Sequence, residues 1–129
     1  MVSKERYNEL AGVILDAAIA VHREMGPGLL EAVYQQCLLF ELKSRALKVE
    51  SMVMIPLIYK GNVLNKEYVV DMIVENEIII ELKAVEGILP VHEAQLISYL
   101  RLAGKRLGFL INFNVPLLKQ GFRRFVNNF

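Results

Sequence analysis

The chain has 129 residues, which suits one domain with a buried core and is too short for two. Hydrophobic residues make up 54% of it and charged residues 22%, a balance that argues against disorder. The net charge of +1 gives the whole molecule little attraction for nucleic acid, so phosphate binding would need a local basic patch. We therefore expect a single folded domain over residues 1–129.

The composition also bears on where the protein works. No apolar run approaches the roughly 20 residues needed to cross a bilayer. The first six residues carry acid and base and lack the apolar stretch of a signal peptide. Cys37 is the single cysteine, which excludes an internal disulfide and suits a reducing compartment. We expect a cytoplasmic protein without a membrane span.

Two helices are predicted at the start of the chain. Apolar residues recur at helical spacing from Leu10 to Val21, and the pattern stops at Gly26-Pro27-Gly28, where proline cannot continue a helix. A second helix is expected from about Leu30 to Arg45. Its apolar positions include Val33, Cys37, Phe40 and Leu42, and we interpret Cys37 as a core residue.

Three strands are expected next, over Met52–Tyr59, a segment ending in Tyr68–Val74, and Ile78–Lys83. Pro56 lacks an N–H donor, which places the first strand at a sheet edge. Lys60-Gly61-Asn62 is typical of a hairpin turn, and Glu75-Asn76-Glu77 turns the chain again. The first three strands should therefore form an antiparallel meander.

The rest of the chain predicts a helix over about Val91–Ala103, closed by Gly104, then a buried strand over Leu107–Phe113 and an edge strand over Phe122–Val126. The link from Lys83 to Leu107 is a strand–helix–strand crossover, which makes those two strands parallel. The fold class is therefore α/β of a mixed α+β kind, with a mixed central sheet of four or five strands flanked by helices.

Charges inside two apolar strands are the most informative feature. Glu81 and Lys83 are two positions apart and share one face, and a three-residue loop at 75–77 puts Asp71 opposite Glu81. Carboxylates with Cβ atoms about 5 Å apart repel one another. A divalent cation such as magnesium or manganese relieves that repulsion. The alternative is an Asp–Lys–Glu salt-bridge cluster at the strand ends.

These residues resemble a known pattern. Asp71 followed by Glu81-Leu82-Lys83 is similar to the Asp…Glu-x-Lys core of the PD-(D/E)XK nuclease superfamily. Gly28 to Tyr34 matches the G-x-x-E-x-x-Y motif of one family of small proteins within it, and the segments 90–99 and 108–116 resemble that family's distal half. The likeness runs from about Val21 to Phe125. It implies a restriction-endonuclease-like core.

The resemblance also implies roles for individual residues. Asp71 and Glu81 would hold Mg²⁺ or Mn²⁺ together with the Leu82 carbonyl. Lys83 would position or activate the attacking water, or stabilise charge developing on the phosphate. Glu31, at the start of the second helix, would be an additional acid near the same cation. Its alternative role is to complement the helix dipole.

On the third helix, His92, Gln95 and Tyr99 share one stripe. The superfamily places a glutamine there, so Gln95 would hold a phosphate or water and Tyr99 would donate to Glu81. A solvated helix face is the alternative, especially for His92. His22 is better explained as a helix C-terminal cap, and Tyr34 is equally well explained as a core aromatic.

Three functions from different classes remain open. The first is a metal-dependent nuclease acting on DNA or RNA, the second a nucleic-acid-binding or assembly module without turnover, and the third a metal-dependent hydrolase or small-ligand binder. Basic residues that would contact phosphates are Arg101, Lys105, Arg106, Arg123 and Arg124, although solvated surface charge explains them equally well. Because so small a chain cannot wrap a duplex alone, a homodimer is expected.

Overall fold

The computed structural model describes residues 2–129. Its three α-helices are α1 (Lys4–Met25), α2 (Glu31–Ser44) and α3 (Pro90–Ala103). Its five strands are β1 (Val49–Tyr59), β2 (Asn62–Val74), β3 (Ile78–Lys83), β4 (Leu107–Asn112) and β5 (Phe122–Val126). A short 3₁₀ helix at Leu118–Gly121, which the sequence did not predict, precedes β5.

The strands form one sheet in the order β1-β2-β3-β4-β5. Strands β3 and β4 are parallel, and every other neighbouring pair is antiparallel. The prediction of a mixed sheet flanked by helices is confirmed. Strand β1 lies at one edge, as Pro56 indicates, and β5 lies at the other.

Helices cover both faces of the sheet and divide the core into two parts. Helices α1 and α2 pack on one face, around large side chains such as Tyr34, Phe109 and Phe113. Helix α3 packs on the other face through Leu96, Tyr99 and Leu100. Gly108 permits this close packing, since a Cβ there would lie 3.0 Å from a Leu96 side-chain carbon and 3.2 Å from the Ile79 carbonyl oxygen.

The β2–β3 turn sets the register that the site depends on. Glu75 and Asn76 both have positive φ angles, 52° and 56°, and the Glu77 N–H donates to the Val74 carbonyl at 2.9 Å. Val74 pairs with Ile78, so the loop has the three residues that the sequence predicts. Lys105 supports the turn by donating to the Asn76 carbonyl at 2.7 Å.

Helix α2 buries one stripe of its apolar residues. Its buried residues are Tyr34, Leu38 and Leu42, each one helical turn after the last. Phe40 is 74% exposed, and Cys37 is only half-buried at the margin of the core. Cys37, interpreted as a core residue, therefore packs against the core without being fully buried. Because α2 is apolar on several sides, its composition does not define the buried stripe.

Within residues 2–129, no helix combines the length and the apolar character needed to cross a membrane.

Candidate functional site

The acid pair, Asp71 and Glu81, meets where the β2–β3 ladder ends. Met72 pairs with Ile80, and the same register brings Asp71 opposite Glu81. The Asp71 N–H donates to Glu81 Oε1 at 3.3 Å, and the Leu82 N–H donates to Asp71 Oδ2 at 2.7 Å. These two hydrogen bonds from backbone to side chain take the place of the next backbone–backbone hydrogen bonds between β2 and β3. They hold the two carboxyl groups close together.

Strand β2 is irregular at Asp71. Val70 packs with α3, whereas Met72 packs with α1 and α2, although residues two apart on a regular strand share a face. On β1, Met52 lies between the residues that pair with Met72 and Val70, and it has a φ of 52°, a strained value for a residue with a side chain. The alternation of side chains along β2 is therefore interrupted at Asp71, and the backbone of β1 is irregular beside it.

Glu81 is the more buried member of the acid pair, with 6% of its surface exposed. The pKa of its carboxyl is raised to about 9, mainly by burial and then by the neighbouring Asp71 charge and a side-chain hydrogen bond with Asp71, while the Asp71 backbone hydrogen bond and the Lys83 charge lower it by less. At neutral pH the acid pair therefore retains a proton. A divalent cation would compete with that proton.

Glu31 begins α2 and lies beside the acid pair. It lines a cavity of about 320 Å³ together with Gln35, Met52 and Asp71. Burial against the protein raises the pKa of its carboxyl, with a further increase from the Asp71 charge and an opposing effect of Lys83. The structure therefore brings Glu31 to the side of Asp71 that opens to solvent.

Gln35 is a site residue that the sequence analysis missed. Its Nε2 donates to the Asp71 carbonyl oxygen at 2.9 Å and lies 3.8 Å from the Met52 sulfur. Its position four residues after Glu31 was the available signal, because that spacing places both side chains on one face of α2. Gln35 ties α2 to the irregular part of β2.

Lys83 ends β3 two residues after Glu81 and is half-exposed. By strand alternation, Glu81 and Lys83 lie on the α3 side of the sheet with Ile79, and Leu82 packs on the opposite side. Among residues 2–129, none of the ion pairs involves Lys83. Its charge acts on Glu31 and Glu81 without a direct salt bridge.

Helix α3 brings Tyr99 to the acid pair. Tyr99 is 9% exposed, and burial raises the pKa of its hydroxyl, with additional increases from the charges of Glu81 and Asp71. Gln95 is exposed and lines a second cavity with Tyr99, apart from the one that Asp71 lines. His92 caps α3, where its Nδ1 accepts from the Leu89 N–H at 3.0 Å.

The G-x-x-E-x-x-Y segment shapes the chain ahead of Glu31. The Tyr34 hydroxyl donates to the Gly26 carbonyl at 2.6 Å and accepts from the Leu29 N–H at 3.1 Å. Its ring stacks on Phe113, with centroids 4.5 Å apart. Gly28 has a φ of 96°, a backbone angle at which a residue with a side chain would be strained. Tyr34 is thus a core aromatic that holds the turn before α2.

Two polar side chains hold the loops around the site. Asn112, 2% exposed, accepts from the Val85 N–H at 3.1 Å and donates to the Val85 carbonyl at 2.9 Å, which holds the chain just after Lys83. Asn112 is not predicted from the sequence, because it stands within an otherwise apolar strand. His22 lies in the last turn of α1, and its Nε2 also makes a tertiary contact, 2.8 Å from the Val115 carbonyl oxygen.

The basic residues are spread over several contacts. Arg123 pairs with Glu93 at 3.6 Å, and Arg124 lies 5.0 Å from the centre of the Phe129 ring. Lys105 donates to the β2–β3 turn. Arg101 is exposed and lines the second cavity with Gln95 and Tyr99.

A sequence model of the PD-(D/E)XK nuclease superfamily matches residues 8–125. The chain belongs to this superfamily. No curated protein and no solved structure matches it. Membership makes the mixed sheet with its flanking helices a restriction-endonuclease-like core.

Nucleases of the superfamily generally use divalent metals. The acid pair fits such an ion, because it offers the oxygens of two carboxyl groups held close together, and ionising both creates a repulsion that a cation relieves. Over residues 2–129, no set of three or more His, Cys, Asp and Glu side chains forms a metal cluster. Magnesium does not require one, since it keeps several waters and binds through one or two carboxylates.

Proposed function

We propose that the protein is a divalent-metal-dependent nuclease that hydrolyses phosphodiester bonds in DNA or RNA. The observation that carries this proposal is the contact between Asp71 and Glu81 in a chain of the nuclease superfamily. The competing interpretation, a salt-bridge cluster, requires Lys83 to pair with a carboxylate. No ion pair of that kind is found in the part of the chain that the structure describes.

In this proposal Asp71, Glu81 and the Leu82 carbonyl hold Mg²⁺ or Mn²⁺, and Glu31 is an additional acid at the open side. The bound cation supplies Lewis-acid polarisation of the phosphate. Leu82 supports the arrangement because its N–H holds the Asp71 carboxylate in place. The Gln35 amide holds the backbone at Asp71 from the other side.

Lys83 is the proposed catalytic cation. It is half-exposed beside the acid pair and not engaged in an ion pair, so its ammonium group is available to orient the attacking water or to stabilise charge on the phosphate. Tyr99 is proposed to donate to Glu81, whose charge already acts on its hydroxyl. Gln95 is proposed to contact substrate from the exposed face of α3.

The proposal also covers the family within the superfamily, the oligomeric state and the cellular location. We assign the chain to the GxxExxY family, supported by the way Gly28 and Tyr34 shape the turn before Glu31. We propose a homodimer, supported by exposed apolar side chains on the β1–β2 hairpin, including Met54 and Val63. A cytoplasmic location remains a prediction supported by the single cysteine.

The test is a cleavage assay of the purified protein on single- and double-stranded DNA and RNA, with magnesium, manganese or EDTA. We expect cleavage that requires the metal and that Asp71→Asn abolishes, while Glu24→Gln, an exposed substitution on α1, retains it. Binding of nucleic acid without cleavage of any of the four substrates would instead support the inactive binding module.

A further inference from the structure

A second cavity, of about 480 Å³, lies between α3 and the β1–β2 hairpin. We call it the tyrosine cavity, and define it by Tyr59, Tyr68, Gln95, Ser98, Tyr99 and Arg101. Its volume falls within the roughly 300–1,000 Å³ that is typical of small-molecule sites. Its lining combines flat aromatic surface, hydrogen-bonding groups and one cation with the aliphatic side chains of Leu57, Ile58 and Leu102.

Three tyrosines supply the aromatic surface. Tyr68 and Tyr99 meet edge to face, with centroids 5.8 Å apart and planes at 61°, so each ring fixes the orientation of the other. Tyr59 stands at the end of β1 on the hairpin and is 58% exposed. Aromatic rings arranged in this way offer stacking positions to a flat ligand, and every nucleobase has a stacking face.

Helix α3 supplies the polar groups. Gln95, Ser98 and Arg101 are spaced three residues apart, which places them along one face of the helix. The Gln95 amide and the Ser98 hydroxyl both donate and accept hydrogen bonds, as the edge of a base requires. Arg101 is exposed and takes part in none of the ion pairs within residues 2–129, so its guanidinium is free to pair with a phosphate.

The tyrosine cavity adjoins the acid pair through Tyr99. Tyr99 lines the cavity, and it packs in the same buried cluster as Ile79, on the face of the sheet where strand alternation places Glu81. A nucleotide bound in the cavity would therefore hold its neighbouring phosphodiester near the two carboxylates. Because Tyr99 is recessed, with 9% of its surface exposed, a base reaches it only by leaving the stack of a duplex.

We propose that the tyrosine cavity binds one unpaired nucleotide of the substrate strand and so makes the protein selective for single-stranded over double-stranded nucleic acid. The role in substrate selection rests on the proposed nuclease function. The binding of a nucleotide is argued from the cavity alone and does not depend on cleavage.

The test is fluorescence anisotropy with a labelled 12-nucleotide strand of mixed sequence, as DNA and as RNA, free or annealed to its complement. All proteins carry Lys83→Ala, which slows any cleavage of the strand during the measurement, and all are measured in magnesium. Tyr59→Ala and Arg101→Gln are compared with two exposed substitutions on the α1–α2 side, Phe40→Ala and Arg23→Gln.

We expect the single strand to bind more tightly than the duplex, and Tyr59→Ala to weaken single-strand binding roughly 5- to 150-fold, the effect of losing one base stack. Arg101→Gln should weaken it as well, and both controls should bind like the parent. The DNA and RNA strands separate the two sources of the nucleotide. Equal affinity for strand and duplex, no binding of either strand, or losses no larger than those of the controls would overturn the inference.

A cleavage assay distinguishes failure of this inference from failure of the proposed nuclease function. Metal-dependent cleavage of duplex and single strand at equal rates, unaffected by Tyr59→Ala, would refute the cavity's role and leave the nuclease proposal intact. Selective strand binding without any cleavage would support the cavity and refute the nuclease.

Discussion

Asp71 and Glu81 are joined through their backbones as well as their side chains. The Asp71 N–H donates to Glu81 Oε1 at 3.3 Å, and the Asp71 carboxylate accepts from the N–H of Leu82, the residue that follows Glu81. Neither carboxyl can move away without breaking a bond to the opposite strand. The acid pair is therefore positioned by the sheet itself, and a proton and a divalent cation compete for it.

The first prediction concerns pH and stability in EDTA. Glu81 has its pKa raised from an ordinary 4.5 to about 9, so between those values the folded state keeps a proton that the unfolded state has lost. Stability is thus full below pH 4.5 and falls as pH rises towards 9, by at most about 1.4 kcal/mol per pH unit for one proton. Urea denaturation at a series of pH values measures this slope.

Glu81→Gln provides the matched comparison, since glutamine resembles the protonated acid but does not ionise. We expect this variant to lose the downward slope, and the exposed substitution Glu24→Gln to keep it. Parallel stability curves for wild type and Glu81→Gln would show that the Glu81 carboxyl is not perturbed.

The second prediction concerns metal and stability. Manganese that binds the folded acid pair should raise the melting temperature, with a gain of about 2.7 kcal/mol when the free ion is at 100 times its dissociation constant. Asp71→Asn removes one ligand charge and should abolish most of this gain. Differential scanning calorimetry at pH 8 measures it, and an equal manganese effect in both proteins would place the ion elsewhere.

The third prediction concerns Lys83→Ala. Because Lys83 is half-exposed and makes no ion pair within residues 2–129, the substitution should leave the melting temperature nearly unchanged. Cleavage should fall by about 10²–10³-fold, the scale of removing one preorganised group that stabilises transition-state charge. Lys66→Ala, an exposed lysine on β2, is the control. A clear decrease in the melting temperature of Lys83→Ala would instead support a structural salt-bridge role for Lys83.

The fourth prediction concerns the turn before α2. Tyr34→Phe keeps the ring stacked on Phe113 but leaves the Gly26 carbonyl and the Leu29 N–H without their hydroxyl partner. We expect a loss of about 1–3 kcal/mol in the free energy of unfolding. Tyr59→Phe, an exposed tyrosine, should show almost none. Equal stability of the two variants would mean that the Tyr34 hydroxyl does not hold the turn.

Much of the fold follows from local signals in the sequence. Strand β3 and strand β5 have the predicted bounds, and the parallel pairing of β3 with β4 follows from the crossover through α3. The register at the acid pair depends on the length of one turn, so Glu75-Asn76-Glu77 was sufficient to predict it. These features depend on residues close together in the chain.

Other features depend on contacts between distant segments and could not be predicted. Gln35 meets the backbone of Asp71, 36 positions away, and Asn112 holds Val85, 27 positions away. The exposure of Phe40 depends on which side of α2 faces the sheet. Sequence spacing predicts which side chains share one face of a helix or strand, but tertiary packing determines which residues that face contacts.

The most direct test of the metal site is a crystal structure of the protein soaked in manganese, with data collected to show the ion's anomalous scattering. We expect a peak within direct coordination distance of both the Asp71 and the Glu81 carboxylates, and none at that position in Asp71→Asn crystals. A wild-type structure with no anomalous peak at the acid pair, or with the ion bound only elsewhere, would contradict it.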